Sequence, residues 1–249
     1  MDISFIIQAR MGSSRLPNKV LLPFCDDKCI LDLLVEKLSR IPNSQIIIAT
    51  SDNLNNDVIE EFCHKHNIHC FRGSENDVLQ RFIDASETYC AKRIIRVCSD
   101  NPFLELLSIQ RLVDKAVNSS ADYISFNVNG NPSIKTHFGF WTEYVTIDAL
   151  KRIKEFTSES LYHEHVTNFI YTHPELFSIE WIDGPECLKG RVDIRLTCDT
   201  INDFKNSQEI YQDLCESNPY PTIDQIVNYL DFHKDYLTKM IEQINCNSK

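Results

Sequence analysis

The chain has 249 residues, 43% of them hydrophobic, with 25 Lys and Arg against 36 Asp and Glu for a formal net charge of -11. That balance argues against nonspecific nucleic-acid binding, which needs a basic face, while the length suits one large α/β domain or two small ones, with a substantial core. Ten cysteines without framework spacing predict reduced thiols rather than a disulfide scaffold, and the lack of any apolar run of about 18 residues or of a basic-then-apolar leader predicts a soluble, cytoplasmic protein with no membrane partner.

The first element is the short apolar run Ile3 to Ile7, rich in β-branched and aromatic residues and too brief for a helix, which reads as a buried strand ending at Gln8. Ala9 to Leu22 then has loop composition, with Gly12, Ser13, Ser14 and Pro17 among the cations Arg10, Arg15 and Lys19. The charge is local: residues 1–22 carry three Lys or Arg against one acid, in a chain that is acidic overall. A basic turn after a strand, at the carboxyl edge of an open parallel sheet, is where an α/β protein binds an anion, and a polyphosphate fits two planar guanidinium forks and an ammonium. Neither common nucleotide-loop signature, G-x-x-x-x-G-K-[ST] or G-x-G-x-x-G, is present.

Apolar spacing next predicts a helix over Ile30 to Leu38, a strand over Gln45 to Thr50, a helix over Asn55 to Lys65 and a strand over Ile68 to Phe71, an alternation that favours a parallel sheet covered on both faces. Cys63 to Cys70 packs five potential zinc ligands into eight residues, but it spans a helix end and a strand start without C-x-x-C spacing, so ordinary packing is the stronger reading. Ser74 or Asn76 is expected to cap a helix running to about Tyr89. Arg93 to Cys98 is the next strand and ends in Ser99-Asp100-Asn101-Pro102-Phe103. There Asp100 is either a plain turn residue or a carboxylate aimed into the crevice of the basic loop, suited to Mg²⁺. A helix over Leu106 to Val117 and a strand over Asp122 to Phe126 follow. Asn127 to His137 reads as a substrate loop or a surface loop, and Phe138 to Val145 as a strand.

His163 to Thr167 is expected to open a helix; histidines at i and i+2 do not share a face, so this is not a metalloprotease motif. Arg191 to Asp199 reads as the last strand, with Arg195 set either to orient phosphates or to pair with Asp199, and Thr200 with Asp203 forms a capping box. Helices over Ile223 to Phe232 and Tyr236 to Ile244 finish the chain. No repeat or linker divides it, so a single domain over 1–249 is expected, with a core at 1–204 and C-terminal helices at 205–249.

Gln8-Ala9-Arg10-Met11-Gly12-Ser13-Ser14-Arg15-Leu16-Pro17-Asn18-Lys19 closely resembles the opening motif of the cytidylyltransferases that make CMP-activated sugars, the 3-deoxy-manno-octulosonate and acylneuraminate enzymes and most nearly the spore-coat polysaccharide branch. Asn18 stands where the family usually has glycine, and asparagine tolerates the same left-handed backbone. The resemblance implies a three-layer α/β/α Rossmann-like nucleotide-diphospho-sugar transferase fold with a mostly parallel sheet. It implies a nucleotide site built from Gln8, Ala9, Arg10, Gly12, Ser13, Ser14, Arg15 and Lys19, with Arg72 and Ser74 near the nucleotide or the acceptor. Asp100 and Asp199 become Mg²⁺ ligands, and Asn101, Glu143, His165 and Arg195 candidate substrate contacts. Glu143 is equally open to structural pairing and His165 to a capping or interface role. The activity implied is CTP-dependent transfer to an acidic sugar, giving a CMP-sugar and pyrophosphate for surface polysaccharide or glycan synthesis, with Arg10, Arg15, Lys19, Asp100 and Asp199 carrying the chemistry. Family members are often homodimers. The competing readings are a nucleotidyltransferase of the same fold that uses a phosphorylated or phosphonate alcohol or another nucleotide, and a catalytically silent nucleotide-binding regulator.

Overall fold

The structure, a computed structural model, describes residues 2–215 and 218–246. β1 (Ile3–Gln8) is buried along almost its whole length, as a strand covered on both faces must be. The basic turn leads through a small hairpin, β2 (Pro23–Cys25) and β3 (Lys28–Cys29), into α1 (Ile30–Leu38). β4 (Ser44–Ser51), α2 (Asp57–His66), β5 (His69–Gly73), α3 (Val78–Thr88), β6 (Arg93–Cys98) and α4 (Leu106–Val117) continue the alternation. Asn67 stops α2 at φ 53°, a left-handed cap that asparagine accepts. Then come β7 (Tyr123–Val128), β8 (Asn131–Pro132), β9 (Glu143–Thr146), α5 (Ile147–Phe156), the short α6 (Ser160–Glu164) and α7 (Asn168–Thr172), and β10 (Ile179–Asp183). α8 (Ile201–Cys215), α9 (Ile223–Phe232) and α10 (Lys234–Cys246) close the fold.

One sheet holds all the strands but the hairpin, in the order β10, β7, β9, β6, β1, β4, β5, with β8 beside β7. The pairs β1 with β4, β1 with β6, β4 with β5 and β7 with β10 are parallel, and β9 runs antiparallel between β6 and β7. Alternate side chains feed two cores. Phe5, Ile7, Ile48, Ile95 and Val97 pack with α1, α4 and the C-terminal helices, while Ile6, Ile47, Ile94 and Val145 pack with α3, α5 and α7. Helices therefore cover both faces of a mostly parallel sheet, the expected three-layer α/β/α arrangement. No helix among the described residues is long and apolar enough to cross a membrane.

Four expectations are corrected. Arg191 to Asp199 is not a strand: Leu196 N–H donates to His137 O and Cys198 N–H to Asp100 O, single bonds to loops rather than a ladder. Phe138 to Thr142 is irregular and β9 begins at Glu143, because Gly139 at φ 70° bends the chain around residues 195–199. A Cβ there would meet the Leu196 carbonyl at 3.1 Å, so both the backbone angle and the space demand glycine. His163 to Thr167 closes α6 and precedes α7 instead of opening a helix. The cap of α3 is Asp77, whose side chain accepts from Gln80 N–H, and not Ser74 or Asn76. In the Cys63 to Cys70 stretch the two thiols face one another, His66 reaches Asp32 at 3.3 Å, and His69 stacks on Tyr89.

Candidate active site

The chain leaves β1 toward β4 and β5, then returns to β6 on the other side of β1, so the loops after β1 and β6 diverge and open a crevice at the carboxyl ends of the strands. A cavity of about 450 Å³ occupies it, and Gln8, Arg10, Ser13, Ser14, Arg15 and Lys19 form one wall. The turn is held from the neighbouring strand: Met11 N–H donates to Asn56 Oδ1 at 2.8 Å, and Asn56 Nδ2 donates to Ser51 Oγ at 2.7 Å. Asn18, at φ 63°, reverses the chain and donates its N–H to Met11 O. Ala9 and Gly12 shape this turn without lining the wall. Ala9 is buried with its N–H on Ala49 O, and Gly12 lies against Glu75 and Asn55.

The opposite wall comes from two distant chain segments. Asp100 follows β6 and Asp199 precedes α8, and both reach Lys19. Its Nζ is 3.2 Å from Asp100 Oδ2, 3.9 Å from Asp199 Oδ1, and donates to Cys198 O at 2.9 Å. Burial alone would lower the Lys19 pKa, but Asp100 and Asp199 outweigh it and the ammonium is stabilised above its ordinary value. Arg15, half exposed, donates to Asp199 Oδ1 at 2.9 Å. Asp199 is oriented from beneath by Arg195, which is fully buried: its Nη2 donates to Asp199 Oδ2 at 3.1 Å, while Nε and Nη2 grip Asp203 and Nη1 meets His137 Nδ1. Asp203 caps α8 by accepting from Thr200 N–H, with Thr200 Oγ1 accepting in return. Arg195 does not line the cavity; it ties Asp199 to the start of a helix. Cys198, beside it, is a thiol pushed up to about 12 by burial, which makes it no nucleophile.

The floor of the cavity holds a second ion pair. Arg96 on β6 and Glu143 on β9 face each other across the antiparallel junction, two residues beyond the buried pair Ile94 and Val145. Arg96 Nη1 donates to Glu143 Oε1 and Nη2 to Gln8 Oε1, and Tyr123 and Thr167 hydroxyls complete the shell of Glu143. Glu143, 2% exposed, does not line the cavity; Arg96 does. The glutamate fixes the arginine, the structural pairing left open by its sequence. Asn101 and His165 line the cavity, as do Ser133, Ile134 and Thr136 of the irregular loop after β7. Asn101 Oδ1 is buried and has no hydrogen-bond partner among the described residues.

Arg72 and Ser74 lie outside this cavity. Arg72 Nη1 binds Asp57 at 2.6 Å and Glu60 at 2.8 Å on α2, a local pairing that absorbs its charge. Ser74 Oγ accepts from Asp77 N–H at the turn into α3. Sequence reasoning passed over Asn56, Arg96, Trp141, Thr167 and Tyr171. Only Arg96 carried a signal, a charge set inside the apolar strand Ile94-Ile95-Arg96-Val97.

A family model described as cytidylyltransferase matches residues 4–237. The chain is 38% identical over 250 residues to an uncharacterized protein of Methanocaldococcus jannaschii, covering 99% of this chain and 96% of that protein. It is 33% identical over 244 residues to the spore coat polysaccharide biosynthesis protein SpsF of Bacillus subtilis, covering 96% and 98%. Among solved structures, a cytidylyltransferase from Leptospira borgpetersenii is similar with a TM-score of 0.80 at 26% identity, over 95% of this chain and 97% of that one. A match along nearly the full length, on a fold whose basic turn meets the carboxylates of Asp100 and Asp199, leaves one assignment: this chain belongs to the cytidylyltransferase family and is a nucleotidyltransferase enzyme.

Proposed function

We propose that the enzyme transfers CMP from CTP to a hydroxyl of an acidic sugar, releasing pyrophosphate and a CMP-sugar for surface polysaccharide synthesis. The observation that carries this is the meeting of Lys19 and Arg15, from the turn after β1, with Asp100 and Asp199 from two remote segments. In-line displacement at a phosphorus needs alignment and charge neutralisation more than a covalent intermediate. Arg10, Ser13, Ser14, Arg15 and Lys19 hold the triphosphate on one wall, and the cations neutralise charge that develops on the departing pyrophosphate. Asn101, His165 and Thr167 supply further polar groups of the cavity lining for the acceptor, and Arg96 adds a buried cation to that lining.

The donor set fits a hard divalent cation. Asp100 and Asp199 offer carboxylate oxygens close enough to share one ammonium, and no cluster of three or more His, Cys, Asp or Glu gathers among the described residues. Mg²⁺ characteristically takes one or two carboxylates and completes its shell with water and substrate phosphates. When bound, it would polarise the α-phosphate and lower the pKa of the attacking hydroxyl. The spore coat relative is named for polysaccharide biosynthesis, which supports a sugar acceptor.

Pyrophosphate release from CTP with Mg²⁺ and a panel of acidic sugars tests the proposal. Turnover is expected with at least one of them, and Asp100→Ala is expected to remove several kcal/mol of transition-state stabilisation. Pyrophosphate formation that survives that substitution at the wild-type rate would refute the metal assignment. Melting-temperature shifts with each nucleotide plus Mg²⁺ decide the nucleotide, since a ligand at about 100 times its dissociation constant stabilises by about 2.7 kcal/mol.

A further inference from the structure

We infer that Lys37, on the inner face of α1, is a positioning residue for Asp100: its buried ammonium holds the backbone of the loop that presents this carboxylate to the cavity. The inference rests on Asp100 as a ligand of the divalent cation. Lys37 is only 4% exposed and lies outside the cavity. Its Nζ donates to Pro102 O at 3.5 Å and to Leu104 O. These carbonyls are neutral, and the nearby Glu105 is committed elsewhere, its carboxylate accepting from Ser108 Oγ and from Ile223 N–H at the start of α9.

A charge buried this deeply is held against its solvation. Burial pushes the Lys37 ammonium down to about 8, with Cys215 and Glu105 pulling it weakly back. An apolar side chain of similar length would fill the same space without that penalty, so stability alone gives no reason for an ammonium. What it adds is direction. The loop after β6 is tied at its near end by Ser99 Oγ donating to Gln8 O at 2.7 Å and by Cys198 N–H donating to Asp100 O at 2.8 Å. At the far end Glu105 N–H donates to Phe140 O at 2.9 Å, and between the two backbone anchors Lys37 grips the carbonyls on either side of Phe103. With the middle of the loop held as well as its ends, the Asp100 carboxylate is presented toward Lys19 and Asp199 in one orientation. Without Lys37 the Pro102 to Leu104 segment loses its side-chain anchor, and the turn can shift between its backbone bonds and carry the carboxylate away from its partner.

The test is calorimetric binding of CTP to the full-length protein, with and without Mg²⁺, for wild type, Lys37→Met, Lys37→Gln, Val35→Ala and Asp100→Ala. In Lys37→Met, metal-free CTP affinity is expected to stay near wild type, while the enhancement of CTP binding by Mg²⁺ falls by about 10-fold, the low end of the range for groups that orient a metal ligand. Lys37→Gln keeps N–H donors on a shorter stem that cannot span both carbonyls, and an intermediate loss is expected. Removal of a positive charge near a cation site strengthens cation binding by Coulomb's law, so a loss runs against electrostatics and reports geometry. Val35→Ala trims a buried side chain of the same helix while leaving the Lys37 bonds in place, and should keep the enhancement. Wild-type Mg²⁺ enhancement in Lys37→Met or Lys37→Gln overturns the inference, as does an equal loss in Val35→Ala. Full enhancement in Asp100→Ala overturns the metal reading beneath it instead.

Discussion

Glu143→Gln is expected to be severely destabilising, and the structure sets the size of the effect. Glu143 accepts from Arg96 Nη1, from Thr167 Oγ1 at 2.7 Å and from the Tyr123 hydroxyl, with 2% of its surface exposed. Neutralising it leaves the Arg96 guanidinium, itself 8% exposed, without its counter-charge, and breaking a buried pair from one side costs about 3–5 kcal/mol. The amide N–H also meets a donor where an acceptor stood, adding roughly 1 kcal/mol. For a chain of this length each kcal/mol moves the melting temperature by about 2–4 °C, so a fall on the order of 10 °C is expected. Thermal melts followed by circular dichroism measure it. Arg96→Met with Glu143→Gln should recover much of the loss, because a pair removed whole leaves no orphaned charge. A single variant that melts with wild type, together with a raised KM for the acceptor, would refute the reasoning and return Glu143 to the role of a substrate contact.

Lys19→Met removes the ammonium that separates Asp100 from Asp199, and CTP affinity measured by calorimetry is expected to fall by about 10-fold or more, the worth of one charge-assisted bond of roughly 1.5–3 kcal/mol. Asn56→Ala frees Met11 N–H and Ser51 Oγ beneath the basic turn; a stability loss of about 1–3 kcal/mol by denaturant titration is expected together with weaker CTP binding. Lys37 gives a pH signature whose sign follows from its depressed value. The unfolded chain binds its proton up to the ordinary 10.5 and the folded chain only to about 8, so the penalty is complete below pH 8 and is relieved as pH rises toward 10.5. Relative to Lys37→Met, with Cys215→Ala in both backgrounds because that thiol is coupled to Lys37, wild-type unfolding free energy should climb by about 3 kcal/mol across that window.

The helices over Ile30–Leu38, Leu106–Val117 and Ile223–Phe232 end where apolar spacing places them, because each buries a single stripe on one layer and its periodicity survives in the sequence. Residues 191–199 show the limit of that signal. Alternating Ile194, Leu196 and Cys198 are buried as a strand's would be, yet the burial comes from the surrounding loops and the C-terminal helices, and Val192 is exposed. A pattern records that a face is covered and is silent about whether a ladder covers it. Arg72, set near the nucleotide or the acceptor by resemblance, pairs with Asp57 and Glu60 outside the cavity, and a local sequence pattern does not say which partner a cation meets.

By itself the sequence determined the basic turn, because Arg10, Arg15, Lys19 and the Gly12-Ser13-Ser14 run lie within ten residues and their chemistry is local. It also indicated the alternation of strands and helices from Ile3 to Val117 that makes a parallel sheet with a crevice at its switch point. Only the tertiary structure decided what stands opposite that turn. Asp100 and Asp199 are 81 and 180 or more residues from it along the chain in the contacts they make with Lys19 and Arg15, and their convergence depends on how the sheet is ordered and how residues 195–199 thread past Gly139. The same holds for Arg96 with Glu143 and for Lys37 with the Asp100 loop: each pairs groups on different elements, and which groups lie opposite is set by strand order and helix docking, which local residue preferences do not encode.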